Sequence, residues 1–170
     1  MDNIITAQYA KELDNEYKAT RACLERVPTG LFNYKPHPKS MTMGYLAQLV
    51  AEIPLWIKYM IHEGEIDFVT FRHKNPQTTE ELVNAFEENM AAARKELAAT
   101  SDQQLEEPFS LKSNGQVLYT SKKVVDVGVT LNHWVHHRGQ LTVYLRLNDI
   151  PVPSIYGPSA DDKNFTPPKE

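Results

Sequence analysis

Apolar residues recur at three- and four-residue intervals in four long stretches, with charged residues filling the positions between them. This period is that of amphipathic helices. The first stretch runs from about Ile4 to Val27, with Tyr9, Leu13, Tyr17, Cys23 and Leu24 on its apolar face, and Pro28 and Gly30 end it. Pro36 and Pro38 hold the following loop extended. Ser40 or Thr42 then caps a second helix with a wide apolar stripe: Leu46, Leu49, Val50, Ile53, Ile57 or Trp56, and Met60, up to about Gly64. Pro54 lies inside it and leaves the carbonyl of Val50 without its helical donor, which predicts a kink or local break between Leu49 and Pro54. Residues Ile66 to Gln77 read as loop. Thr78 or Thr79 opens a third helix with acids in its first turn and Leu82, Phe86, Met90, Ala93 and Leu97 on its apolar face.

Between Pro108 and Thr120 the period changes to two, on either side of Asn114-Gly115, which predicts a β-hairpin. The last helix spans about Ser121 to Asn148, and the proline-rich end is expected to form a mobile tail from about residue 162. The pattern therefore predicts an all-α fold, a four-helix bundle with a short β-hairpin before the last helix. The long second and fourth approaches permit a crossover connection.

Composition narrows the function classes. With 170 residues, 41% of them hydrophobic and 24% charged, the chain is expected to form a single domain over residues 1–170 without disulfides. A formal charge of −4 and no long basic run argue against nucleic-acid binding. No apolar run reaches the roughly 18 residues of a spanning helix, and the first residues do not read as a secretory signal, so no membrane association is expected. Cys23 is the one cysteine, and an unpaired thiol fits a reducing cytoplasmic location.

Candidate chemistry concentrates in the last helix, where N-H-W-V-H-H-R-G-Q spans Asn132 to Gln140. His133 and His137 are four apart, so their rings share a helical face, while His136 points elsewhere. Two imidazoles at this spacing suit one divalent metal, although H-x3-H alone equally describes histidines bonded to their neighbours. His37, His62 and His73 are scattered. Arg138 and Arg146 are candidate anion ligands, with pairing or solvation the commoner role, and Cys23 has no readable partner that would lower its pKa. Gly139 suits close packing or ligand approach. Tyr119, Trp134 and Tyr144 read as core or rim aromatics.

The block L-N-H-W-V-H-H-R-G-Q-L-T-V-Y-L-R from Leu131 to Arg146, the following L-N-D-I-P-V-P-S-I-Y-G-P-S-A-D, and K-P-H-P-K-S-M-T-M-G-Y-L-A from Lys35 to Ala47 resemble the DinB-like (DinB/YfiT) superfamily over nearly the whole chain. The family shares its name with a DNA polymerase through damage induction only, a link to stress and not to chemistry. The resemblance implies an up-down-down-up four-helix bundle, a homodimer, and a zinc or nickel ion held by three histidines. Two of these correspond to His133 and His137. The third belongs in a pattern like L-A-x-H-x-A-E, and this chain reads L-A-Q-L-V-A-E from Leu46 to Glu52, with Leu49 at the ligand position. Gln48, Glu52, another histidine or solvent are the substitutes to consider.

Two functions follow from the resemblance. One is a metal-dependent thiol transferase or hydrolase in which the ion activates a small thiol or a water. The other is a non-catalytic dimeric bundle with a degenerate metal site that binds a small molecule or a partner protein.

Overall fold

The computed structural model describes residues 3–163, and most of these are helical. Four long helices, α1 (Ile4–Glu25), α2 (Met43–His62), α3 (Thr79–Ala99) and α5 (Lys123–Leu147), are joined by a short α4 (Asp102–Leu105) and three strands, β1 (Glu65–Asp67), β2 (Pro108–Ser113) and β3 (Gln116–Lys122). The two threonine caps differ in no essential way: Thr42 Oγ1 accepts from the Tyr45 amide and Thr78 Oγ1 from the Glu81 amide, each satisfying one orphan donor of a first turn.

Side chains that bridge the helices fix their directions. Asp14 meets Arg94, and Tyr17 and Arg21 meet Glu87, so α1 and α3 are antiparallel. Asn89 meets Ala51 and Glu96 meets His62, so α2 and α3 are parallel. Tyr144, Trp134 and Lys123 reach the backbone at Met41, Val50 and Ile61, so α5 runs against α2. Tyr9 bonds to Val124 and Arg138 to Glu16 and Thr20, so α5 runs with α1. Between these helices lies one apolar core that includes Leu13, Leu24, Leu46, Ile53, Phe86 and Trp134.

Of the kink or local break expected at Pro54, the break does not occur, and α2 continues to His62. The carbonyl of Val50 that the proline frees accepts the Trp134 indole N–H at 2.9 Å, and Ala51, one position on, accepts from Asn89 Nδ2 at 2.9 Å. The neighbouring helix α5 thus supplies the one donor that the proline removes.

The hairpin expectation also needs correction. Asn114 and Gly115 do form its tip, with φ of 51° and 78°, the left-handed conformations that a two-residue primed turn requires. However, β2 and β3 belong to a three-stranded mixed sheet, because β1, in a stretch expected to be mostly loop, pairs in parallel with β2. The Asp67 carboxylate accepts the amides of Gly115, Val69 and Asn114, which holds its pKa below the usual carboxylate range and ties the hairpin tip to β1. No helix among the described residues is long and apolar enough to cross a membrane. Asp162 and Lys163 are bonded to the Ser159 turn, while residues 164–170, the rest of the expected mobile tail, lie outside the described residues.

The first turn of α1 is capped from α4. Asn3 provides no side-chain cap, and the Asp102 carboxylate instead accepts the Thr6 amide at 2.8 Å, the Thr6 hydroxyl at 2.7 Å and the Ile5 amide at 3.1 Å. The Thr6 amide, followed by that of Ile5, holds the Asp102 pKa below its ordinary value. A carboxylate depressed on folding stabilises the native state above its unfolded pKa and loses that contribution as the pH falls through the folded value. Hydrogen-exchange protection of the Ile5 and Thr6 amides is therefore expected to fall below about pH 3.9. Asp102→Asn should remove this pH dependence.

Candidate metal and ligand site

α5 places His133 and His137 one turn apart, and both rings are half-buried. Their Nε2 atoms approach to 2.6 Å, with ring centroids 4.5 Å apart. On the far side of His137, Nδ1 lies 2.8 Å from Gln140 Oε1. A donor is needed there, so His137 is protonated on Nδ1, presents a lone pair on Nε2, and accepts Nε2–H from His133. Burial, reinforced by the like charges that His137 and His136 would carry, pushes the His133 pKa down. His136 is exposed, its ring resting against that of His137 at 5.1 Å.

Two imidazoles on one tetrahedral ion stand about 3.3 Å apart, given metal–nitrogen bonds of roughly 2.0–2.1 Å. The pair would have to part by about 0.7 Å to share such an ion. A third protein donor is also missing. Leu49 is half-buried and packs against the core. Gln48 lines a crevice between α2 and α3 with Ala85 and Asn89, away from α5. The Glu52 carboxylate, 5% exposed, is taken by His73 Nδ1 at 2.9 Å and Trp56 Nε1 at 3.2 Å. Among the described residues no three His, Cys, Asp or Glu side chains converge on one point. The donor set therefore does not fit a three-histidine metal site.

Beside the pair lies a cavity of about 260 Å³, between α2, α5, the sheet and the segment after β1. Trp56, Phe68, Phe71 and Phe109 line it, as does His133, with the Trp56 and His133 rings 5.5 Å apart. His73, assigned to a scattered loop position by sequence, arrives here through Phe71, whose ring it meets at 5.0 Å. Asp126 also lines the cavity. Its signal was present in the sequence, since it shares with Lys123, Thr130 and Trp134 the three- and four-residue spacing of the buried face of α5.

The remaining candidates resolve into structural roles. Arg138 is 1% exposed and forms an ion pair with Glu16 at 2.5 Å, and Arg146 pairs with Asp161. Burial pushes the Cys23 thiol up to about 11, which removes it as a nucleophile at neutral pH. Gly139 is exposed with open space where a Cβ would stand, so no close approach requires it. Gly128 is the glycine with that role on α5: a Cβ there would meet the Tyr9 hydroxyl at 2.9 Å. Trp134 and Tyr144 are core residues and Tyr119 is exposed.

Four long helices around one core, a small mixed sheet and a histidine pair on the last helix define a helical-bundle protein with an open side pocket. The chain belongs to the DinB family, whose model matches residues 1–170. Its fold is similar to that of a DinB-like protein from Bacillus subtilis, at 18% identity over 85% of this chain and 96% of the other, with a TM-score of 0.68. A DinB-like protein from Bacillus cereus is similar at 17% identity over 87% and 95%, with a TM-score of 0.69. No curated protein matches the chain.

Proposed function

We propose that this chain is a non-catalytic, ligand-binding member of the DinB family with a degenerate metal site. The observation behind the reading is the His133–His137 pair, closed on itself at 2.6 Å, with an alkyl side chain at position 49. Zinc or nickel would find two imidazoles and solvent there, and bind weakly. Thiol transfer or hydrolysis would need an ion held firmly enough to activate a thiol or water; Gln48 lines the crevice between α2 and α3, and the Glu52 carboxylate is already bound by His73 and Trp56. The small molecule is bound in the adjoining aromatic cavity instead. The helix directions described above support the up-down-down-up bundle, and the acidic charge and unpaired thiol support a cytoplasmic protein with no nucleic-acid partner. Calorimetric titration of chelator-treated protein tests the reading. Weak binding of zinc or nickel that disappears in His137→Ala is expected, and tight stoichiometric binding would restore the enzyme.

The protein is proposed to be a homodimer. Val125 and Val129 near the start of α5, and Val143 and Leu147 at its end, are each at least half exposed, as are Val117 and Leu118 on β3. Exposed apolar side chains of this kind are buried when two-fold-related copies pair. Sedimentation at micromolar concentration should show a species of twice the chain mass, and Val129→Lys with Val143→Lys should return it to monomer. A native protein that sediments only as monomer would refute the dimer.

A further inference from the structure

The cavity beside His133 contains a feature that neither the histidine pair nor the core explains. Asp126 is 7% exposed, and its Oδ2 is buried with no hydrogen-bond partner. An acid in the first turn of a helix ordinarily faces water, where it complements the helix dipole without desolvation. This one faces a space walled by aromatic rings. The groups around it direct their hydrogens elsewhere. Lys123, one turn earlier, donates to the Ile61 carbonyl at 3.1 Å and to Glu107 at 2.8 Å. The Thr130 hydroxyl turns to Met60 Sδ at 3.5 Å, and His73 is held by Glu52. A carboxylate oxygen left dry and unpaired is costly, and such a group in a native fold calls for a partner.

The partner's chemistry follows from the surroundings. Aromatic faces attract cations and repel anions, and Trp56, Phe68, Phe71 and Phe109 line the same space. We infer that the cavity binds a small protonated amine with an aromatic or aliphatic body, its N–H donating to the Asp126 carboxylate and its body lying among the aromatic rings. A quaternary ammonium has no N–H to offer this carboxylate and is disfavoured. At about 260 Å³ the space suits a ligand the size of an arylethylamine. The inference rests on the ligand-binding reading of this cavity and is independent of metal at His133 and His137.

Phenethylamine is the probe, titrated by calorimetry and by the indole N–H resonance of Trp56 into full-length, chelator-treated protein at pH 7.5. Binding with a dissociation constant below about 1 mM is expected. The N-acetylated amine, which is neutral, and 3-phenylpropionate, which is anionic, should bind at least tenfold more weakly. Asp126→Asn, nearly isosteric, should reduce amine affinity about tenfold or more, as loss of a charge-assisted hydrogen bond does. Equal binding of the amine and its acetylated form, no binding at several millimolar amine, or full affinity in Asp126→Asn would each overturn the inference. Should Asp126→Asn fail to fold, the comparison of amine with acetylated amine on the native protein decides the matter alone. Weak metal binding with no amine binding would refute this inference and leave the degenerate metal site standing, whereas amine binding with tight metal binding would do the reverse.

Discussion

Arg138→Ala is expected to destabilise the protein by about 3–5 kcal/mol, a large part of the roughly 5–15 kcal/mol that holds a domain folded. The guanidinium lies between α5, α1 and the C-terminal segment. Its Nη1 pairs with the Glu16 carboxylate at 2.5 Å and donates to Thr20 Oγ1 at 3.1 Å, while Nη2 donates to Tyr156 Oη at 2.8 Å. Tyr156 Oη in turn donates to Glu16, 3.0 Å away. Removing the cation leaves Glu16, 8% exposed, as a buried anion with one phenol for company. The loss is therefore the cost of the orphaned carboxylate and not the net worth of the pair, and Glu16→Leu combined with Arg138→Met should recover most of it. In urea, Arg138→Ala should shift the unfolding midpoint strongly at unchanged slope, with melting lowered by on the order of 10 °C. A change below about 1 kcal/mol would show that water already reaches this network.

Leu49→His is expected to tighten zinc or nickel binding by at least about 10- to 100-fold. The antiparallel register of α2 on α5, fixed by Trp134 on Val50 and Tyr144 on Met41, brings the turn containing Leu49 to the level of the histidine pair. A third imidazole there would supply the missing donor, and the ion would repay the parting of His133 from His137. Some stability should be lost, since a half-buried alkyl group is exchanged for a ring that needs partners. Titration of both proteins after chelator treatment measures the effect, and equal affinities would mean that position 49 does not reach the pair.

The long helices were legible because each carries its own apolar period and its own end signals: Thr42 and Thr78 cap where threonine precedes an apolar run, and Asn114-Gly115 turns where a primed turn needs positive φ. β1 was not legible. Glu-Ile-Asp has no period of its own and becomes a strand because β2 offers its edge and Asp67 binds the hairpin tip. Pro54 suggested a break that α2 does not show, since the donor for the freed Val50 carbonyl comes from Trp134, far away in sequence. In the site, the spacing of His133 and His137 predicted a shared face, and the resemblance singled out Leu49. What spacing could not provide was the lack of a partner for Asp126 Oδ2, the retreat of Glu52 to His73 and Trp56, or the aromatic wall assembled from three separate segments. Those depend on tertiary placement.

The central claim is that two imidazoles, and no third protein donor, are available to an ion at this site. X-ray absorption at the zinc edge, on native protein loaded with excess zinc at high protein concentration, counts those donors directly. Two imidazole nitrogens at roughly 2.0–2.1 Å with the remaining positions filled by water oxygen are predicted. A shell of three or more protein donors, with zinc retained through dialysis, would contradict the account.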